Sequence, residues 1–279
     1  LAEKLYAWRY GASPGGSVIF TGLCEPLLEM FEIHARATNK SLQEVFNACG
    51  FLISPLRLAR PECEQLLFFA ERGLRMGIGH LPSQGGSAPV TFAGTLALSL
   101  AEQMFMFLLQ RSLWEDAGFG VGGMVTTMDM RTGVSCYGRP ERHKVNLAFA
   151  DIADFYGCSC WGHTGCTDAH LPSTEAGVQK ATGALVTALA TGHAYIEAGL
   201  LGIDEICSPV QMALDHDLVN SLQALFAEVK EEYALEEILA HDSHLGTDFT
   251  VEHFRDSLFP ADHVVWAIAG RMDVLGYAN

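Results

Sequence analysis

The stretch 120-GVGGMVTTMDMRTGVSCYGRPERHKVNLAFADIADFYGCSCWG-162 decides the fold. Two apolar runs of strand length, 120-GVGGMV-125 and 158-CSCWG-162, flank a helical pattern over residues 140–156 that opens with Pro140 in its first turn. Working outward, the same alternation continues. Further candidate strands are 18-VIFTG-22, 49-CGFLI-53, 77-GIGHL-81 and 193-HAYIEAG-199, and candidate helices span 26–38, 61–76, 91–116, 173–191 and 209–229. Pro61 and Pro209 punctuate helix starts as Pro140 does, and Ser173 followed by Glu175 reads as an N-cap with an acidic first turn. This is a βα repeat of the α/β class. Six units are visible, an eight-unit barrel needs two more, and the chain opens on Leu1, so upstream units are expected to be missing. No linker, charge run or low-complexity tract interrupts residues 1–279, which predicts a single domain.

The bulk properties fit one large α/β domain. Of 279 residues, 49% are apolar and only 18% charged, enough to bury a large core and leave surface for a subunit contact; a homo-oligomer is expected. The 17 basic against 33 acidic side chains leave a net charge of −16, which repels nucleic acid and anionic lipid and favours cationic or zwitterionic partners. The uncharged run from residue 88 to 101 is broken by Glu102 before it reaches membrane-spanning length, and no basic segment with a cleavage site opens the chain. No membrane partner is expected, and eight irregularly spaced cysteines suit reduced thiols in a cytoplasmic protein.

Polar residues cluster just after the expected strands: His80, Ser83 and Gln84; Thr126, Thr127 and Asp129; His163, Cys166 and Asp168; and, within the last strand, Tyr195 and Glu197. In a (β/α) barrel such positions converge on one mouth, where the chemistry is done. The glycines of 118-GFGVGG-123 satisfy G-x-G-x-x-G but lead from a helix into a strand. A dinucleotide loop must do the reverse, so tight backbone packing is the better reading.

The stretches 85-GGSAPVTFAGTLALSLAE-102, 129-DMRTGVSCYGRPE-141, 167-TDAHLPSTEAGVQKATGALVTALATGHAYIEAGLL-201 and 208-SPVQMALDHDLV-219 resemble, in order and spacing, blocks of the trimethylamine methyltransferase family. The resemblance runs from about residue 54 to the C-terminus. It implies a (β/α)8 TIM barrel that moves a methyl group from a methylamine to the Co(I) of a separate corrinoid protein, with no cofactor held tightly by the chain itself. Family members acting on trimethylamine carry pyrrolysine just before the segment matched here by 167-TDAHLP-172; the matching position is Cys166, or Gly165 in an alignment shifted by one.

That difference points to another substrate. A tertiary amine would leave as an amide anion and needs an electrophile or a proton, whereas a quaternary ammonium leaves as a neutral amine. The site then has mainly to bind, orient and desolvate. The resemblance extends to glycine betaine methyltransferases, which lack pyrrolysine, so a betaine-like quaternary amine is the expected substrate. Its cation calls for aromatic faces and a carboxylate, for which Trp161, Tyr195 and Glu197 are the candidates, with Asp129 also at a strand end. Its carboxylate calls for donors, available in His80, His163, Thr164 and Arg131. Each has a plainer reading. A strand aromatic is often core, Arg131 can simply pair with Asp129, and Asp168 can tie its loop to backbone amides.

The loop 158-CSCWGHTGCTDAH-170 keeps three readings open: pocket lining, ordinary packing, or a metal site. Cys160, His163 and Cys166 are enough ligands for zinc, although C-x-C is a poor knuckle. Cys158 and Cys160 should share one strand face, with Trp161 on the other. The groups Asp215-His216-Asp217 and His241-Asp242-x-His244 read as solvated surface, and Met104-Phe105-Met106-Phe107 as core or subunit interface. Beside the methyltransferase stand two alternatives: a zinc-dependent hydrolase on the same barrel, and a quaternary-amine-binding protein without catalysis.

Overall fold

A computed structural model describes residues 2–10, 16, 20–193, 196–227, 234–244 and 247–250. The chain divides into two compact units, the first comprising Leu1–His163 with Leu189–His193, the second Thr164–Ala188 with Ala194–Asn279.

The first unit opens with helices α1 (Ala2–Arg9), α2 (Cys24–Thr38) and α3 (Leu42–Val45), followed by β1 (Ala48–Phe51), α4 (Arg60–Ala70), β2 (Met76–Gly79) and the short β3 (Ser83–Gln84). Then come α5 (Phe92–Leu113), β4 (Gly120–Gly123), β5 (Thr126–Met128), β6 (Ser135–Cys136), α6 (Pro140–Tyr156) and β7 (Ser159–Gly162). Strands β1 and β2 pair in parallel, Ala48 opposite Met76, across the crossover helix α4. Strands β4 and β7 do the same across α6, Gly120 opposite Ser159, so the quoted stretch is a parallel βαβ unit. One core packs Phe31, Leu66, Phe69, Leu74 and Met76 under β1 and β2; another packs Val121 and Val125 against Val145, Phe149 and Ala153 of α6. Among the described residues the sheets hold two or three strands each and none closes.

The second unit contains α7 (Thr174–Thr191, whose last residues belong to the first unit), the antiparallel pair β8 (Leu200–Leu201) and β9 (Ile206–Cys207), α8 (Pro209–Leu225) and α9 (Leu235–Ala240). Ser208 caps α8 by accepting from the Gln211 N–H at 3.2 Å, and the Ser173 hydroxyl accepts from Ala176 N–H at 3.3 Å as its sequence suggests.

Three expected elements differ. Of 18-VIFTG-22, residues 18 and 19 lie outside the described residues, and Thr21–Leu23 is a 3-10 turn, closed by Leu23 N–H to the Phe20 carbonyl, that leads into α2. The helix expected over 61–76 stops at Ala70, because Gly73 adopts φ +69° and turns Leu74 and Met76 into the core. The stretch 193–199 contains no strand among its described residues; Ala194 and Tyr195 lie outside them. Two of its backbone groups are taken by side chains, Gly199 N–H by Asp215 and the Glu197 carbonyl by Lys180, while the Gly199 carbonyl accepts from Ser208 N–H at 2.8 Å. Of the glycines in 118–123, Gly122 and Gly123 serve packing, whereas Gly118 faces open space: a Cβ on Gly122 would fall 2.1 Å from the Trp161 carbonyl oxygen, and one on Gly123 2.3 Å from His80 Nε2.

Candidate functional site

His80 follows β2 and is 3% exposed. Its Nε2 lies 3.2 Å from the Ser99 hydroxyl and its Nδ1 3.7 Å from the Glu102 carboxylate, both on α5. Burial pushes its pKa down to about 4, so the ring is neutral near pH 7. The fully buried Glu102 accepts from the Ser54 hydroxyl and the Leu56 N–H, each at 2.9 Å. Gln103 donates to Ser99 at 3.2 Å and accepts from Gly122 N–H at 2.7 Å. Ser99, Glu102 and Gln103 were missed in the sequence, although a glutamate inside a long uncharged run was a visible signal.

Asp129 accepts from Arg131 N–H at 2.9 Å and faces the guanidinium groups of Arg131 at 3.4 Å and Arg139 at 3.6 Å. The backbone N–H of Arg131 first, then its side chain, hold the Asp129 carboxyl below the usual carboxylate range. Asp129 and Arg131 thus take the pairing arrangement, and the Arg131 side chain is largely exposed.

Strand β7 alternates as expected. Cys158 and Cys160 pack against the Val121 and Phe149 core, where burial pushes the Cys160 thiol up and keeps it protonated. Trp161, 50% exposed, lines a cavity of about 320 Å3 with Phe107, Phe119, Gln103 and Gln110. His163 ends the first unit: the buried Arg142 guanidinium contacts its Nδ1, and its carbonyl accepts from Arg142 at 3.3 Å and Asn146 at 3.2 Å.

The second unit gathers the rest. Gly165 sits at φ +77° with no room for a side chain, since a Cβ there would meet Ile196 Cα at 2.6 Å. Of the two positions singled out by the resemblance, Gly165 and Cys166, only Cys166 presents a side chain. It is 2% exposed, and its thiol donates to the Glu197 carboxylate at 3.5 Å. Gln179 of α7 fixes the loop behind it, accepting from the Thr167 hydroxyl at 2.6 Å and from Asp168 N–H at 2.9 Å. The main chain of Asp168 is thus tied down by a side chain that the sequence did not single out. Thr164 is buried and Tyr195 lies outside the described residues.

The reading of Asp215-His216-Asp217 as solvated surface is corrected. Asp215 and Asp217 are 1% and 2% exposed, and only His216 faces out. Asp215 is drawn inward by Lys180 at 2.8 Å, Gly199 N–H at 2.8 Å and Gln211 Nε2 at 2.8 Å. His241 and His244 are exposed, as expected, beside Glu237 at 3.8 and 3.9 Å. Helix α5 buries Thr95, Ser99, Glu102 and Gln103 while Phe105 and Leu108 stay exposed, and among the described residues it is the one helix long and apolar enough to cross a membrane by length and composition.

The parallel βαβ units define an α/β protein. The family model "Trimethylamine methyltransferase (MTTB)" matches residues 17–269, and the chain belongs to that family. Trimethylamine methyltransferase MttB of Methanosarcina barkeri is 29% identical over 240 residues, which cover 81% of this chain and 48% of that protein. The MttB of Methanosarcina thermophila is 29% identical over 170 residues, 61% of this chain and 35% of that protein. A glycine betaine methyltransferase of Desulfitobacterium hafniense is 27% identical over 172 residues, 61% of this chain and 36% of that protein. The chain thus spans at most about half the length of these relatives.

Proposed function

We propose that this chain carries the amine-binding part of a cytoplasmic, homo-oligomeric methyltransferase on a (β/α)8 barrel, moving a methyl group from a quaternary, glycine betaine-like amine to a separate corrinoid protein. The observation that carries the reading is Cys166 beside Glu197: where trimethylamine-acting relatives place an electrophilic residue, this chain has a buried thiol donating to a carboxylate. Such a pair has nothing to offer a neutral amine as an electrophile, but a half-buried carboxylate is a good counter-charge for a cation.

The Co(I) of the partner's corrinoid supplies the nucleophile. The chain's own residues bind and desolvate the donor. Positive charge on the donor nitrogen disappears as its N–CH3 bond breaks, so a low-dielectric wall disfavours the ground state more than the transition state. Glu197 must hold the cation without over-stabilising it, and the donated thiol of Cys166 moderates the carboxylate. Trp161 is proposed as an aromatic contributor, and His80, His163 and Arg131 remain the proposed donors, all three already engaged as described.

A thermal-shift series tests the substrate class, because a ligand raises apparent stability by RT ln(1 + [L]/Kd). Glycine betaine, carnitine and choline should each raise the melting temperature more than trimethylamine at equal concentration. The reverse order would reject a quaternary-amine site.

A further inference from the structure

Lys180 and Asp215 form an ion pair at 2.8 Å with both side chains buried. Burying two charges is rarely repaid by their mutual attraction alone, so their other contacts carry weight. Lys180 Nζ also donates to the Glu197 carbonyl at 3.0 Å, and the same Asp215 oxygen accepts from Gly199 N–H at 2.8 Å. The second Asp215 oxygen is held by Gln211 Nε2 at 2.8 Å. The two charges therefore grip peptide groups on either side of Ala198, beside two main-chain bonds, Ser208 N–H to the Gly199 carbonyl at 2.8 Å and Leu200 N–H to the Glu197 carbonyl at 3.4 Å. Residue 197 is the one whose carboxylate meets Cys166.

We propose that Lys180 and Asp215 are positioning residues, which set the main chain at Glu197 and so hold its carboxylate against the Cys166 thiol, giving the site its preference for a cation. The preference rests on the reading of Glu197 as the counter-charge of the donor. The main-chain clamp does not. A hydrogen bond lost by a displacement of about 1 Å is enough to uncouple the two side chains. A pair that only glued α7 to α8 would have no effect on how Glu197 meets its partners.

The test compares the full chain with Glu197→Gln, with the double variant Lys180→Met/Asp215→Leu, and with all three changes together. Removing both charges at once avoids stranding one in the interior. The first readout needs no ligand: the rate at which iodoacetamide alkylates Cys166, followed by peptide mass spectrometry across pH. A carboxylate beside a thiol disfavours the thiolate. Glu197→Gln should therefore move the pH–rate profile to lower pH and speed alkylation about three-fold or more at neutral pH. The double variant should reproduce that displacement, and the triple variant should add nothing to it. A merely loosened loop would raise the rate at every pH alike and leave the profile in place, which overturns the proposal. So does a wild-type profile in the double variant, or no response to Glu197→Gln.

The second readout is the ratio of affinities for glycine betaine and its carbon isostere 3,3-dimethylbutanoate, which keeps the carboxylate and lacks the cation. Both variants should lower that ratio by the same factor. If neither changes it while the alkylation profiles move together, the clamp stands and the counter-charge reading of Glu197 fails. Should the apolar pair not fold, Lys180→Gln/Asp215→Asn removes the charges while keeping polar shape and carries the same comparison.

Discussion

The Cys166 thiol donates to the Glu197 carboxylate across 3.5 Å, bringing together two residues 31 positions apart in the chain. The contact gives a buried sulfur a polar partner and leaves the carboxylate able to accept further.

Cys166→Ala should change ligand affinity while the fold is kept, because alanine fills most of the site and removes only the donor to Glu197. Isothermal titration with glycine betaine checks this, and an affinity shift of about 1 kcal/mol, the usual worth of a hydrogen bond to a charged group or somewhat less, is expected. An unchanged affinity would reduce Cys166 to packing.

Trp161→Ala should weaken binding of a quaternary amine by roughly 1–2 kcal/mol, as loss of a desolvated cation–π contact does. The carbon isostere 3,3-dimethylbutanoate, which keeps the carboxylate and lacks the cation, should lose less. Equal losses for the two ligands would make Trp161 a wall of its cavity and nothing more.

Lys180→Ala strands Asp215 as a buried charge and should cost about 3–5 kcal/mol of stability in urea unfolding, whereas Lys180→Met/Asp215→Leu should fall much closer to wild type. A single-variant loss under about 1 kcal/mol would contradict the burial of this pair.

His80 makes stability depend on pH. Its pKa falls from 6.5 to about 4 on folding, so the unfolded chain takes up the proton first. The contribution is complete above pH 6.5 and is lost as pH falls toward 4, amounting to about 3 kcal/mol at 1.36 kcal/mol per unit of pKa. Urea unfolding of wild type and His80→Gln between pH 4 and 8 reads the difference; the variant should have a shallower slope in that window, keeping the share of His143, whose pKa burial also lowers.

Much of the fold was legible because it is written in local periodicity. The helix over 140–156 and the strands on either side of it are found within one or two residues of their expected places, since Pro140 and Gly157 mark the ends of that helix physically. What was illegible depends on distant partners. Nothing near Asp215 in sequence reveals that Lys180 lies 2.8 Å away, and 193–199 looks like a strand because its residues suit one, although side chains capture its backbone. The site was legible in part for the same reason. Cys166 and Glu197 stand out by type in apolar surroundings, whereas Gln179 and Gln103 act through backbone groups that leave no trace in composition.

The most direct measurement is single-turnover demethylation with a reduced Co(I) corrinoid protein, following the cobalt spectrum with each candidate amine. Methylation of cobalt by glycine betaine or another quaternary amine, and none by trimethylamine, is the predicted result; methylation by trimethylamine with no quaternary amine active would contradict it.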